Sequence, residues 1–202
     1  THADIYAAAK KILVAKRMIE AINPEALVSV ADDRVDSPGA ACMVGNTDVM
    51  FGCLDHERAR LSLTELCCRH AKPYFDLASD VNMEGGYWGG RMLLCDGARC
   101  LVCMGMLDQE EMRLEAMAPA EAHADERLYG VRRAVLGDGG PSVVSINATV
   151  ASVAVTEFMV LVTGLRPPIP YLVYRGDTQT LRSNRDAPAP DCYYCKGLWG
   201  KG

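Results

Sequence analysis

No run of basic residues occurs in the 202-residue chain, and its formal net charge is −5. A nucleic-acid surface needs clustered Lys and Arg to neutralise phosphates, so the composition speaks against that class of partner. No apolar run is free of polar groups over a membrane-spanning length. The longest, VVSINATVASVAVTEFMVLVTGL, carries Asn147, Thr149, Thr156 and Glu157, which reads as a buried amphipathic helix and not a membrane span. No secretory signal is recognisable, and the chain starts at Thr1 without a Met, as a fragment or a processed product would. No GxGxxG follows a strand, which removes the fingerprint a nicotinamide-dependent oxidoreductase requires. No internal repeat is evident, and His2, His70 and His123 show no ligand spacing.

Half the residues are apolar and 23% are charged, the balance of a globular chain with a real core in one large domain or a domain with a small appendage. Nine cysteines are many, and an odd number. With no targeting segment, and with Cys67 and Cys68 adjacent in an apparent helix, a reducing, cytoplasmic setting fits better than a disulfide framework. Cys42, Cys53, Cys67, Cys68 and Cys95 then read as small buried hydrophobes.

The pattern along the chain predicts alternating elements. DIYAAAKKILVAKRMIEAINP has Ile5, Ala8, Ile12, Ala15, Ile19 and Ile22 at helical spacing, with Asp4 as a cap and Asn23-Pro24 as the stop. ALVSVA reads as a strand, VDSPGAACMVGN as a loop or short helix, and TDVMFGCLD as a buried strand. HERARLSLTELCCRHAK reads as a helix and PYFDLASDV as a second buried strand. This order predicts an α/β fold with a mainly parallel sheet. NMEGGYWGGRMLLCDGARCLVC is glycine-rich and favours strand pairs, with a hairpin signal at Asp96-Gly97. Leu107 to Gly140 predicts a short helix and then a mobile excursion, Pro141 to Gly164 a long helix, and YLVYRGDTQTLR a hairpin turning at Gly176-Asp177.

Two CxxC pairs stand out, Cys100 with Cys103 and Cys192 with Cys195. Each can place two thiolates on one tetrahedral zinc, and two pairs close the shell without water, the mark of a structural site. The metal would tie a proline-rich tail back onto the hairpin. Spacing alone leaves open two independent buried or redox-active pairs. A redox CxxC, however, belongs at a helix start after a strand, and neither pair stands there.

The order of INP, GCLD, AKPYFD, GGRMLL…CLVC, PSVVSINATVASVAVTEFMVLVTG and the terminal CYYC resembles the ThiF/MoeB/HesA family, relatives of ubiquitin-activating enzymes, across nearly the whole chain. The resemblance implies a Rossmann-like, mainly parallel sheet with a mixed or antiparallel C-terminal extension and one structural zinc on the four cysteines. It implies use of magnesium-ATP to adenylate the C-terminal glycine of a ubiquitin-like or sulfur-carrier protein, commonly by a homodimer. Acyl activation of this kind needs charge neutralisation around phosphates more than a protein nucleophile. By motif, Lys11 matches the lysine that approaches the phosphates, Asp55 the aspartate that helps hold magnesium, and Arg60 a recurrent arginine counted with the nucleotide site. The residues alone also allow a solvated Lys11 with Lys10 in its place, Asp55 as a helix cap, and Arg60 in a surface ion pair.

Three departures qualify the resemblance. The strand–GxGxxG–helix nucleotide loop is absent, and EGGYWGGR does not replace it, because it does not join a strand to a helix start. The chain therefore reads as a single adenylyltransferase-domain fragment over 1–202, with an α/β part at 1–80 and a substrate-side and zinc-clamp part at 81–202. Alone it is expected to bind ATP poorly; low-micromolar affinity by calorimetry would overturn that. Residues 104 to 141 contain no cysteine for thioester chemistry, and His56 stands where the family commonly has Asn. The other reading is a non-catalytic subunit that docks a ubiquitin-like partner or completes a dimer through the long apolar helix from Val143 to Leu165.

Overall fold

A computed structural model describes residues 4, 7–82, 85–117 and 143–201. The chain divides into two compact units, Thr1–Met43 and Val44–Gly202.

In the first unit, helix α1 spans Lys11–Ile22 and ends where expected, with the Asn23 N–H donating to Ile19 O at 2.8 Å. Its start differs from the sequence expectation. Ala8 adopts a left-handed backbone, φ 46°, which a right-handed helix cannot contain, so the helix begins three residues later. Asp4 accepts from the Arg17 guanidinium at 2.8 Å, and Ile5 lies outside the described residues. ALVSVA is not a strand: its backbone is irregular and Leu27 is fully exposed. A strand exists only where a neighbour satisfies its backbone groups, and no ladder reaches this segment among the described residues. The short helix is real: α2 covers Pro38–Gly45, with Pro in its first turn and Ser37 Oγ accepting from the Ala40 N–H at 3.1 Å.

The second unit holds strands β1 (Met50–Gly52), β2 (Tyr74–Asn82), β3 (Tyr87–Cys95), β4 (Tyr171–Arg175) and β5 (Thr180–Ser183). Its helices are α3 (Glu57–Arg69), α4 (Gln109–Ala116) and α5 (Val144–Thr163). The sheet runs β1-β2-β3-β4-β5. Only β1 and β2 are parallel, joined by α3 as a βαβ unit; the three other pairings are antiparallel. The described sheet is therefore mixed, in place of the mainly parallel one expected. The cause is local: after β2 the chain returns at once along β3, so the run of crossovers stops after one.

Alternation along β2 buries both faces. Phe75 and Leu77 join Met92, Leu94 and Leu172 against Val150 and Ala154 of α5, while Tyr74 and Asp76 face α3. Gly89 and Gly90 on β3 permit this spacing: a Cβ at Gly89 would fall 2.1 Å from Tyr174 O, and one at Gly90 2.6 Å from Ala78 O. The second glycine pair of EGGYWGGR thus serves close packing. Helix α5 ends at Gly164 in the left-handed conformation, φ 66°, as the sequence predicts; Pro141 lies outside the described residues. By length and composition α5 could cross a membrane. One side of it nevertheless packs on the sheet, and its Glu157 is buried and paired with Arg166 at 2.6 Å.

Of the cysteines read as buried, Cys67, Cys68 and Cys95 are, whereas Cys42 and Cys53 are exposed. Partial desolvation, with Asp76 nearby, raises the Cys53 thiol, so it is not poised as a thiolate. Cys42 sits on α2 and Cys53 just past β1, outside the alternation that buries the longer strands.

Candidate nucleotide edge and metal centre

β1 delivers Asp55. The strand ends at Gly52, the chain bends, and Asp55 stands exposed just beyond the carboxyl end of the one parallel pair, immediately before α3. Open α/β sheets place ligands at this edge. Asp55 is not the cap of α3. The N-cap residue is His56, whose side chain makes no capping bond. The first N–H groups of α3 are satisfied from elsewhere: Glu115 at the end of α4 accepts from Glu57 N at 3.0 Å and Arg58 N at 2.8 Å. The same carboxylate lies 3.3 Å from His56 Nδ1. The Asp55 carboxylate thus remains available to solvent at the edge of the sheet.

Arg60 is not at the surface. Its guanidinium is buried and engages Asp76 Oδ1 at 3.1 Å and Oδ2 at 2.6 Å, and also Glu57. Asp76 further accepts from Tyr74 Oη at 2.8 Å and from Arg91 at 3.0 Å, and Arg91 reaches Met106 O at 3.2 Å. Burial alone would disfavour the Arg60 charge, but Asp76 and Glu57 outweigh it and hold the group above its ordinary range. Burial, then Asp76, pushes the Tyr74 phenol up. Glu57 also accepts from Asp108 N at 3.1 Å. This cluster knits α3, β2, β3 and the start of α4 together. Lys11 is exposed on α1 in the first unit, while Lys10 is taken up in an ion pair with Asp32.

The four cysteines converge. Asp96 accepts from Ala98 N and Arg99 N, and Gly97 takes φ 84°, so the Asp96-Gly97 signal marks a turn. The turn feeds the first CxxC and does not lead into a paired strand, because β3 pairs with β2 and β4. Cys100 to Gly105 then form a tight knuckle in which Cys103 Sγ accepts from Cys100 N at 3.1 Å. The tail supplies a single π-helical turn, Tyr193–Leu198, beginning just after Cys192. Cys100 Sγ lies 3.6 Å from Cys192 Sγ, Cys103 Sγ lies 3.7 Å from Cys195 Sγ, and all four sulfurs fall within 4.8 Å of one another. Tetrahedral zinc with bonds of about 2.3 Å sets its sulfurs about 3.8 Å apart, so the cluster could hold zinc, and an all-sulfur set suits that metal. Cys68 adds an outer partner: its hydrogen bond is the main influence lowering Cys100, and it is itself raised. Around the cluster the tail is tied down by Ala189 N to Cys103 O at 3.0 Å and Gly200 N to Cys68 O at 2.9 Å.

The sequence expectation thus placed the four cysteines together and Asp55 at an open edge. It passed over Asp76, Arg91, Glu115 and Cys68. The only available signal was a charged residue inside an apolar strand, as with Asp76 in PYFDLASD.

A mixed α/β unit with an aspartate at the carboxyl edge of its parallel pair and a four-thiol knot joining knuckle to tail defines one class of protein. The chain matches the ThiF family over residues 1–194 and belongs to it. It is 26% identical over 159 residues to the HesA protein of Leptolyngbya boryana, covering 79% of this chain and 47% of that protein. Its fold resembles E. coli MccB with MccA-N7isoASN, at a TM-score of 0.66 and 15% identity, over 93% of this chain and 52% of that one. It also resembles E. coli MccB with ATP, at a TM-score of 0.63 and 16% identity, over 93% and 51%. The chain spans about half the length of these relatives.

Proposed function

We propose that the whole protein is an adenylyltransferase that uses ATP to activate the C-terminal carboxylate of a ubiquitin-like or sulfur-carrier protein in the cytoplasm. Membership of the ThiF family supports the reaction class, and nine free cysteines fit a reducing compartment. The observation that carries the reading is Asp55, exposed at the carboxyl edge of β1 and released from capping duty by Glu115. There it would hold magnesium, which neutralises phosphate charge as the carboxylate attacks. Lys11 is the proposed phosphate-facing lysine. Arg60, spent on Asp76 and Glu57, would support the edge from behind without touching nucleotide. In this reading zinc on Cys100, Cys103, Cys192 and Cys195 is structural.

The test is pyrophosphate exchange by the full-length protein. Asp55→Ala is expected to lower exchange by about 100-fold or more, the scale of losing an electrostatic partner of the reacting phosphates. Unchanged exchange in the variant removes Asp55 from the site.

A second reading, a non-catalytic docking or dimerisation subunit, draws on α5, where Val155, Met159 and Val162 are 52%, 52% and 56% exposed along one stripe. The same stripe suits a homodimer of the catalytic protein. Exchange by the wild-type protein separates catalyst from scaffold, and sedimentation at micromolar concentration reads the oligomeric state.

A further inference from the structure

β5 is one edge of the sheet, four strands from β1. Along its flank runs a groove in two joined parts, of about 430 Å³ and about 660 Å³, which share Ser183, Asn184, Arg185 and Asp186. The first part adds Arg99 over a floor that includes Pro168, Pro170 and Pro188. The second adds Arg182, beside an Arg175 already paired with Asp177. Arg99, Arg182 and Arg185 have no ion pair among the described residues, and Arg99 Nε is buried with no hydrogen-bond partner. In a chain of net charge −5, three unneutralised guanidiniums facing a lining whose one uncommitted carboxylate is Asp186 are a local reversal of sign.

Two features fix the ligand class. The groove is long and open, with proline beside Arg99 and Arg185 in its first part and Arg182 with Val173 and threonines in its second, so guanidiniums recur along it; one small anion would leave most of it empty. It also lies across the sheet from Asp55. Four inter-strand spacings of about 4.8 Å make that separation roughly 19 Å, too far for the nucleotide to occupy both places. The geometry points to a docking groove for an acidic, extended peptide segment of the protein substrate, with Arg99, Arg182 and Arg185 pairing its carboxylates. This rests on the reading that the protein activates a carrier's C-terminus. An extended chain covers about 3.4 Å per residue, so the acidic segment stands roughly six residues before the terminal glycine that reaches Asp55.

The test is anisotropy of a tetramethylrhodamine-labelled peptide alternating glutamate and valine, titrated with the full-length protein. Binding is expected to weaken as salt rises and to fall by about tenfold in Arg182→Glu/Arg185→Glu, both exposed positions whose exchange leaves the circular dichroism spectrum intact. A peptide with lysine in place of glutamate is expected not to bind. Equal binding by the variant or by the lysine peptide overturns the proposal. So does complete displacement by about 5 mM inorganic phosphate, which would mark a simple anion site. The measurement uses neither ATP nor turnover. Binding without pyrophosphate exchange therefore keeps the groove and removes the adenylation, and exchange without peptide binding does the reverse.

Discussion

Asp76 is wholly buried and accepts hydrogen bonds from two arginines and a tyrosine. Its removal leaves Arg60 with Glu57 alone and Arg91 with the Met106 carbonyl and no carboxylate, a deficit that costs far more than the pair contributes when intact. Asp76→Ala is expected to lower unfolding stability by about 3–5 kcal/mol in urea titration at neutral pH. A change under about 1 kcal/mol would show that water or Glu57 compensates. The sequence showed this residue as a charge inside an apolar strand but not its partners. Arg60 stands 16 positions away and Glu115 is 58 from the helix start it caps, and such pairings are set by the fold and leave no local pattern. The position of Asp55 was legible because it follows a strand end, which hydrophobic periodicity does mark.

Among elements, α3, β2, β3, α5 and the β4–β5 hairpin were legible, since each carries its own period or turn chemistry. ALVSVA carried the same β-branched signal and failed, because a strand is a property of two segments and only one was visible. Helix α5 shows how an apolar element is fixed at its end. Glu157 accepts from Arg166 at 2.6 Å and from Ile169 N at 2.7 Å, locking the helix to the loop that enters β4. Arg166, then the backbone N–H, holds the Glu157 carboxyl below its ordinary 4.5. A depressed carboxyl stabilises the fold at pH above its unfolded value, and that contribution is lost as pH falls through the folded value. Glu157→Gln is therefore expected to be less stable than wild type at pH 6, with the gap in Tm closing below about pH 4.5. A gap that stays constant with pH would assign the effect to shape alone.

At the scale of the molecule, the knuckle after β3 and the tail meet through thiols 92 positions apart. Elemental analysis is expected to find one zinc per chain, and Cys192→Ser to lose it. If the clamp contributes about 4 kcal/mol, Tm falls by roughly 8–16 °C in a domain of this size. Zinc-free wild-type protein would leave the knot to hydrogen bonds alone. One parallel pair carries Asp55 at one edge, three antiparallel pairings carry the other, and Trp199 of the tail closes over the turn between β3 and the knuckle.

That closure puts an indole in a telling place. A Cβ at Gly97 would sit 2.8 Å from the Trp199 ring, so the ring lies flush on the bare backbone beside Cys100. Only one other tryptophan, Trp88, shares the chain, and it lies at the far end of β3. Trp199 is thus a native optical gauge: with Trp88→Phe as background, its emission colour reports whether the tail is seated, with no label attached.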